Sequence, residues 1–308
     1  SNLLEGEIWY NSTSGTLKVA PLVASWSAGG NLNTARSSAI GAGTQTAGLM
    51  AGGRAPSASA ASEEYDGSSW TTGNSLNTGR YNTSGRGPQT AAIGFGGYTA
   101  TVITAATEEY NGTSWTNGGD LSNARYFISA AGDSTSALGS GGYNAGAKDQ
   151  VEEYDGSSWT AGGSLGTAKY ASFYGGSQTA AIVTTGYVTT PGHAVTTTSE
   201  EYNGTAWTEG NNNITGRAQT GSSGTQTSGL MFGGADAPAP TRYYAISEGY
   251  DGTTWSTRPS LATGRERNTG IGASNTAALA AGGSASGPEI ATTEEFNVAV
   301  TAETVTTS

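Results

Sequence analysis

The chain has 308 residues, with 13 basic and 24 acidic side chains, a net charge of −11, 49 Gly, 8 Pro, one His and no Cys. That charge argues against nucleic acid as a partner, and the missing Cys excludes disulfides, thiolate metal sites and Cys nucleophiles. The lone His193 excludes a multi-histidine metal centre, and no apolar run is long enough for a membrane-inserted helix. Neither a metal nor any other cofactor is implied. Leu, Ile, Val and Phe number only 38 of 308, a composition that by itself points to disorder. The spacing of the Trp and Tyr residues points the other way.

In chain order, residues 1–20 read as a hairpin or docking segment. The first residue is Ser rather than Met, with the expectation that the chain is processed or a piece of something longer. Residues 21–299 carry six repeats, and 300–308 a tail. Trp recurs at 26, 70, 115, 159, 207 and 255, at intervals of 44, 45, 44, 48 and 48. From the second repeat onward it closes a phrase such as Glu63-Glu64-Tyr65-Asp66-Gly67-Ser68-Ser69-Trp70, with Tyr five residues before Trp. Ten residues after each Trp stands a cation: Arg36, Arg80, Arg125, Lys169, Arg217 and Arg265. Small residues and a Gly pair follow, weakened in the fourth repeat to Thr185-Gly186.

Each unit holds four short runs, in the first case 37–43, 45–51, 60–65 and 68–72. None has a helical period. Asp66-Gly67, Asn111-Gly112 and their counterparts predict tight hairpin turns with positive φ. A four-stranded repeat of about 45 residues is a propeller blade. The first two runs carry Ala, Gly, Ser and Thr and the last two Tyr and Trp, as a wedge narrowing toward an axis requires.

The two ends complement each other. Phe296 sits in the third-strand register with Thr301 where Trp is due, and Trp26 has Pro21 where Tyr is due. The strand bearing Trp26 therefore completes the blade ending at Phe296. The fold class is all-β: a closed six-bladed propeller of four-stranded antiparallel blades, with a short N-terminal β-hairpin. The competing count is five blades with two ragged ends.

The Gly pair, Tyr and Trp at fixed spacing resemble the kelch repeat over residues 22–299. Phrases such as Glu108-Glu109-Tyr110-Asn111-Gly112-Thr113-Ser114-Trp115-Thr116 and Leu32-Asn33-Thr34-Ala35-Arg36 are similar to kelch-like repeats in virion proteins of marine and cyanobacterial phages. The opening from Gly6 to Val19 is similar to a short hairpin of phage fibre and tail proteins. The resemblance implies a virion appendage or surface protein, located on the virion or extracellularly, with other virion proteins or identical subunits as partners. It names no ligand.

Repeat length varies almost only between the Gly pair and the Glu pair, where the connections have 9, 10, 9, 13, 13 and 10 residues. In a meander those loops share a face with the cations, and the Asp-Gly and Asn-Gly turns occupy the other face. Binding residues concentrate on loops held by a rigid scaffold. The candidates are Tyr187, His193, Arg242, Tyr243 and Tyr244 in the two longest loops, with Tyr98 and Tyr143 at similar positions in other blades. Aromatic faces stack on sugar rings and Arg donates to hydroxyls or carboxylates, so the class of ligand is a cell-surface glycan. The plain alternative is that these Tyr only pack their loops down. The six cations read as structural, pairing with the repeated Glu residues to lock blade to blade in exposed ion pairs, each contributing about 0–1 kcal/mol.

Catalysis finds little support. The turn phrase departs from the Asp-box of sialidase propellers, because Asp66 and Gly67 are adjacent. The loop carboxylates Asp149 and Asp236 fall in non-adjacent blades, so no acid–base pair is apparent. The expectation is a non-enzymatic protein that adheres to a host surface. The alternatives are a purely structural decoration or filament module, and a free secreted bacterial lectin. Sequons at Asn11, Asn82, Asn111, Asn203 and Asn213 are explained in part by turn chemistry, since Asp replaces Asn at the same turn in other repeats.

Overall fold

The computed structural model describes residues 8–19, 21–188, 194–236, 242–301 and 303–304, the last two as backbone alone. Six four-stranded antiparallel sheets form a ring. In the first blade the strands are Ile40–Thr44, Ala47–Ala51, Ser62–Tyr65 and Trp70–Gly73, running from the axis to the rim. Blades two to five repeat this plan over 84–117, 129–161, 173–210 and 221–258. The sixth takes its outer strand, Leu22–Ala28, from the other end of the chain, with Trp26 opposite Phe296. Closure therefore occurs in the predicted register, and the five-blade count is excluded. A separate small sheet joins Ile8–Asn11, Thr16–Val19 and the backbone of Glu303–Thr304, so the two ends of the chain meet at the rim.

The hydrophobic core is a set of seams between blades. Ile40, Leu49 and Ala51 of the first blade, for example, meet Ala92, Tyr110 and Trp115 of the second. Within each of blades one to five the Tyr and Trp rings pack 4.9–5.0 Å apart, adding about 0.5–1.5 kcal/mol beyond the area they bury. Each Trp indole also reaches into the preceding blade. Trp70, Trp115, Trp159 and Trp26 donate to hydroxyls of Thr293, Ser62, Thr107 and Ser247. Gln45, Gln89, Gln178 and Gln226 donate in the same direction, to the carbonyl of the Tyr or Phe that closes the third strand.

The turn between the third and outer strands has the positive φ expected, at the Gly alone. Tyr65 pairs with Trp70, leaving a four-residue loop in which only Gly67 has positive φ, at +96°. Asp66 holds it by accepting the amides of Ser68 and Ser69 at 2.8 Å, and Asn111 does the same. Either residue supplies the accepting oxygen, so Asp and Asn interchange.

The two Glu of each repeat, the fifth with its Glu248-Gly249 excepted, have separate tasks. The second bonds blade to blade: the hydroxyls of Tyr65, Tyr110, Tyr154, Tyr202 and Tyr250 donate to Glu295, Glu64, Glu109, Glu153 and Glu201 of the preceding blade. The first Glu pairs with the cation of its own repeat, as Glu63 does with Arg36 and Glu108 with Arg80. The charge pattern predicts exposed pairs that lock blade to blade; each pair instead lies within one repeat and is buried. All six cations are at most 1% exposed, and each guanidinium or ammonium also donates to nearby backbone carbonyls. The other oxygen of each Glu accepts an amide seven residues after a Trp, from Asn33, Asn77, Ser122, Gly166, Ile214 and Ala262. That amide lies on the strand-to-strand crossing from the previous blade, so the pair fastens the crossing as well as its own repeat.

Candidate functional site

Above the sheets, on the face of the variable loops, each blade carries a short row of isolated backbone pairs. The row begins at the residue after the cation, continues at the residue after the Gly pair, and ends in the loop. In blades two, three and four the first two members are Tyr81 and Tyr98, Tyr126 and Tyr143, and Tyr170 and Tyr187. In blade five they are Ala218 and Ala235, with Tyr243 third. Blade six has Glu266, Ser284 and Glu289, and blade one has Ser37, Arg54 and Ala58. One structural position thus holds aromatic residues over half the ring and polar or charged residues over two other blades.

The aromatic side chains form an arc of two packed groups, one in blade two and one across blades three and four. Ring centroids lie 5.5 Å apart in the pairs Tyr81–Tyr98 and Tyr126–Tyr143, 4.9 Å in Tyr143–Tyr170 and 5.3 Å in Tyr170–Tyr187. Phe127 packs beneath, against Tyr126 and Tyr170. Tyr81, Tyr98, Tyr126 and Tyr143 are half-buried, whereas Tyr170 and Tyr187 are buried against Ala218 of the fifth blade. Burial pushes the Tyr187 phenol up to about 12, with Glu266 and Asp236 adding to the shift and Arg267 opposing it.

Of the residues singled out from the sequence, Tyr98, Tyr143 and Tyr187 lie in this arc. Arg242, Tyr243 and Tyr244 lie in the fifth-blade loop beside its Tyr187 end. There Asp236 accepts the Arg242 amide at 2.7 Å and the Tyr244 hydroxyl at 3.0 Å, and the Arg242 guanidinium stands 5.8 Å from the Tyr244 ring centre. These bonds brace the loop and leave Arg242 exposed. His193 lies outside the described residues. Sequence reasoning missed Tyr81, Tyr126, Tyr170 and Phe127. The signal was present: these Tyr directly follow the cations Arg80, Arg125 and Lys169, where the other repeats have Ser37, Ala218 and Glu266. The six cations themselves take no part in the site, being buried beneath it.

The arc borders the mouth of the ring. Ser38, Asn82, Phe127, Ala171, Gln219 and Arg267, two residues after each cation, all adopt left-handed φ of +50° to +59°. Such a conformation is uncommon for residues with side chains and persists only where the surroundings fix it. Here the fixing contacts are backbone bonds passed from blade to blade. Phe127 N–H donates to Asn82, Ala171 to Phe127, Gln219 to Ala171, Arg267 to Gln219 and Ser38 to Arg267. These residues line an axial cavity of about 70 Å³ together with Ser84, Ser172, Thr220 and Asn268, room for two or so waters or one small polar group.

No family model matches the chain, and no curated protein matches it. Among the solved structures 225 chains match. One, described as "Structure of YjhT", superposes with a TM-score of 0.73 over 90% of this chain and all of its own, at 15% identity. At that identity the likeness shows the propeller fold alone. The same architecture hosts many unrelated activities, so function has to be argued from the site.

Proposed function

We propose that this propeller is a binding module rather than an enzyme, and that its variable-loop face adheres to a carbohydrate. The observation that carries the reading is the Tyr arc. Positions that merely hold a repeat together obey its symmetry, as the buried cations do. The residues after the cations break it and gather aromatic side chains on one side of the face. Half-buried Tyr rings offer flat apolar surfaces to sugar rings and hydroxyl groups to sugar oxygens, at little entropic cost. The exposed Arg242 and the axial cavity stand at the border of the arc, where a bound chain would meet donors and acceptors.

With the kelch-like and phage-like phrases of the sequence, this makes the protein a virion appendage or surface protein that attaches to a host glycan. The N-terminal sheet serves as the attachment piece to other virion proteins or identical subunits. Ile8 and Tyr10 are 64% and 65% exposed and Leu17 is 44% exposed, all on one face of that sheet, and Leu22 beside it is 48% exposed. Clustered exposed apolar residues of this kind mark contact surfaces.

A glycan array probed with the labelled, folded chain tests the reading. Binding to a defined set of glycans is expected, reduced at least tenfold by Tyr98→Ala or Tyr143→Ala and unchanged by Arg54→Ala on the charged side. No binding by the folded protein, or binding indifferent to both Tyr substitutions, sinks it.

A further inference from the structure

Seven cations in this ring are buried, and six of them have a Glu. Arg86, on the inner strand of the second blade, does not: among the described residues no carboxylate pairs with it. Its counterparts in the other blades are Ala42, Ala131, Gly175, Ser223 and Ile271, so it is a single departure from the repeat. The side chain crosses the axis. Its guanidinium donates to the carbonyls of Ser222 at 3.1 Å, Gly224 at 2.9 Å and Gly272 at 3.3 Å, on the fifth and sixth blades. The ring of Tyr174 from the fourth blade lies 5.9 Å away. Burial lowers the arginine's pKa, and Tyr174 opposes the shift only in part.

Carbonyl dipoles solvate a guanidinium but leave its charge whole. Buried charges in proteins are normally paired, because an uncompensated one is costly. Among the described residues no acid makes an ion pair with it, Asp133 of the adjoining mouth included. On the side of Arg86 away from the Tyr arc, the ring opens into an axial mouth of about 320 Å³ lined by Arg86, Thr44, Pro88, Asp133 and the turn glycines of the inner strands. Asp133 turns inward on its own loop, accepting the amide and hydroxyl of Thr135 at 2.8 and 2.6 Å.

The geometry points to a small oxyanion of the carboxylate or phosphate class, bound in this mouth as the counter-charge of Arg86. The site is separate from the glycan face, on the opposite side of the Arg86–Tyr174 plug. Isothermal titration of the intact chain with inorganic phosphate, and in a second arm with acetate, at fixed ionic strength and pH 7, tests it. One saturable site per chain is expected for at least one probe, weakened tenfold or more by Arg86→Gln and largely retained by Arg86→Lys. If Arg86→Gln does not fold, a crystal soaked in bromide or selenate should place the anomalous signal against Arg86 in the parent protein. Absence of saturable binding for both probes, equal affinity in folded Arg86→Gln, or signal only elsewhere overturns the assignment.

Discussion

The sheet layer and the row of isolated pairs above it are built on the same six-fold plan but treat it differently. In the sheet layer the same contacts recur with few exceptions, and at the clearest of them both partners change together. The interface between blades five and six shows this best. It alone lacks the Tyr-to-Glu bond, because Gly249 stands where the acceptor belongs and Phe296 where the donor belongs. Neither partner is left buried and unpaired. Arg258 occupies the vacated volume, and a Cβ at residue 249 would lie 2.6 Å from its Nε. Above the sheet the chemistry itself changes from blade to blade, with Tyr opposite Tyr in three blades, Ala opposite Ala in the fifth, and Ser, Arg and Glu in the other two. The sheet layer keeps its buried contacts through the ring, and the upper row keeps no one contact through it.

Substitutions with similar chemistry in the two layers should therefore differ widely in cost. The largest effect is expected from Glu108→Ala, which strands the Arg80 guanidinium and the amides of Asn77 and Thr78 in the interior. Removing one partner of such a pair costs about 3–5 kcal/mol, read as a lower urea midpoint. The ion pair between Arg54 and Glu289 in the upper row is 3.5 Å long, with Arg54 46% exposed. Glu289→Ala should cost about 0–1 kcal/mol. Equal losses would mean that the buried cations are not the structural layer.

Next in size is Thr185, the one non-Gly residue in the first Gly-pair position, held at φ +56°. Its hydroxyl sits between strands, accepting the Arg217 amide at 2.9 Å and donating toward Thr196 at 3.0 Å. Thr185→Val keeps the strain and deletes the hydroxyl, leaving a buried amide unpaired, for a loss of about 1–3 kcal/mol. Thr185→Gly loses the same bond but relieves the left-handed conformation, and should be the milder of the two. Thermal unfolding ranks them, and the reverse order would mean that φ strain is negligible at this position.

The Tyr-to-Glu bonds predict a smaller effect and a pH window. Tyr154→Phe removes one bond, for about 1–2 kcal/mol, whereas Phe296→Tyr adds a hydroxyl with no acid to receive it and should gain nothing. Burial, reinforced by the Glu acceptors, pushes the phenols of Tyr65, Tyr154 and Tyr202 up to about 12. A Tyr in the unfolded chain titrates near pH 10. The folded state therefore holds these protons more tightly, and its stability from them is full below pH 10 and lost as pH rises through about 12. Urea midpoints at pH 8, 10 and 11 should fall in that window, less steeply in Tyr154→Phe.

How much was legible beforehand follows the same division. Blade number, strand order and closure at Trp26 could be read because sheet contacts repeat, and six copies of Trp, Tyr and the Gly pair leave a period. The pairing of cation with Glu was legible for the same reason. Its burial was not, because charge pattern alone does not distinguish a surface pair from one covered by the crossing segment at Asn33 or Asn77. The arc was read in half: Tyr98, Tyr143 and Tyr187 stood out by following the Gly pair, and their partners Tyr81, Tyr126 and Tyr170 hid in the stretch after the cations. Arg86 gave no signal, since the carbonyls it reaches lie 136 to 186 residues away.

The smallest prediction runs in the stabilising direction. Third strands begin with Ser or Thr in every blade but the third, where Val151 stands; the hydroxyls of Ser62, Thr107, Ser247 and Thr293 receive the Trp indole of the next blade, whereas Ser199 donates to Thr184 and leaves the Trp255 indole without a partner. The indole N–H of Trp207, which faces that position, is buried with no partner. Val151→Thr is nearly isosteric and supplies the acceptor, so a gain of about 0.5–1.5 kcal/mol is expected. The same Val→Thr exchange in an apolar core would be destabilising, because the hydroxyl would be buried unpaired. A gain here and a loss at Val183, which is buried within its strand, would establish that the repeat specifies each acceptor by its partner's donor. A loss at both would mean that the indole of Trp207 is satisfied by water at the seam and that Val151 is tolerated for that reason.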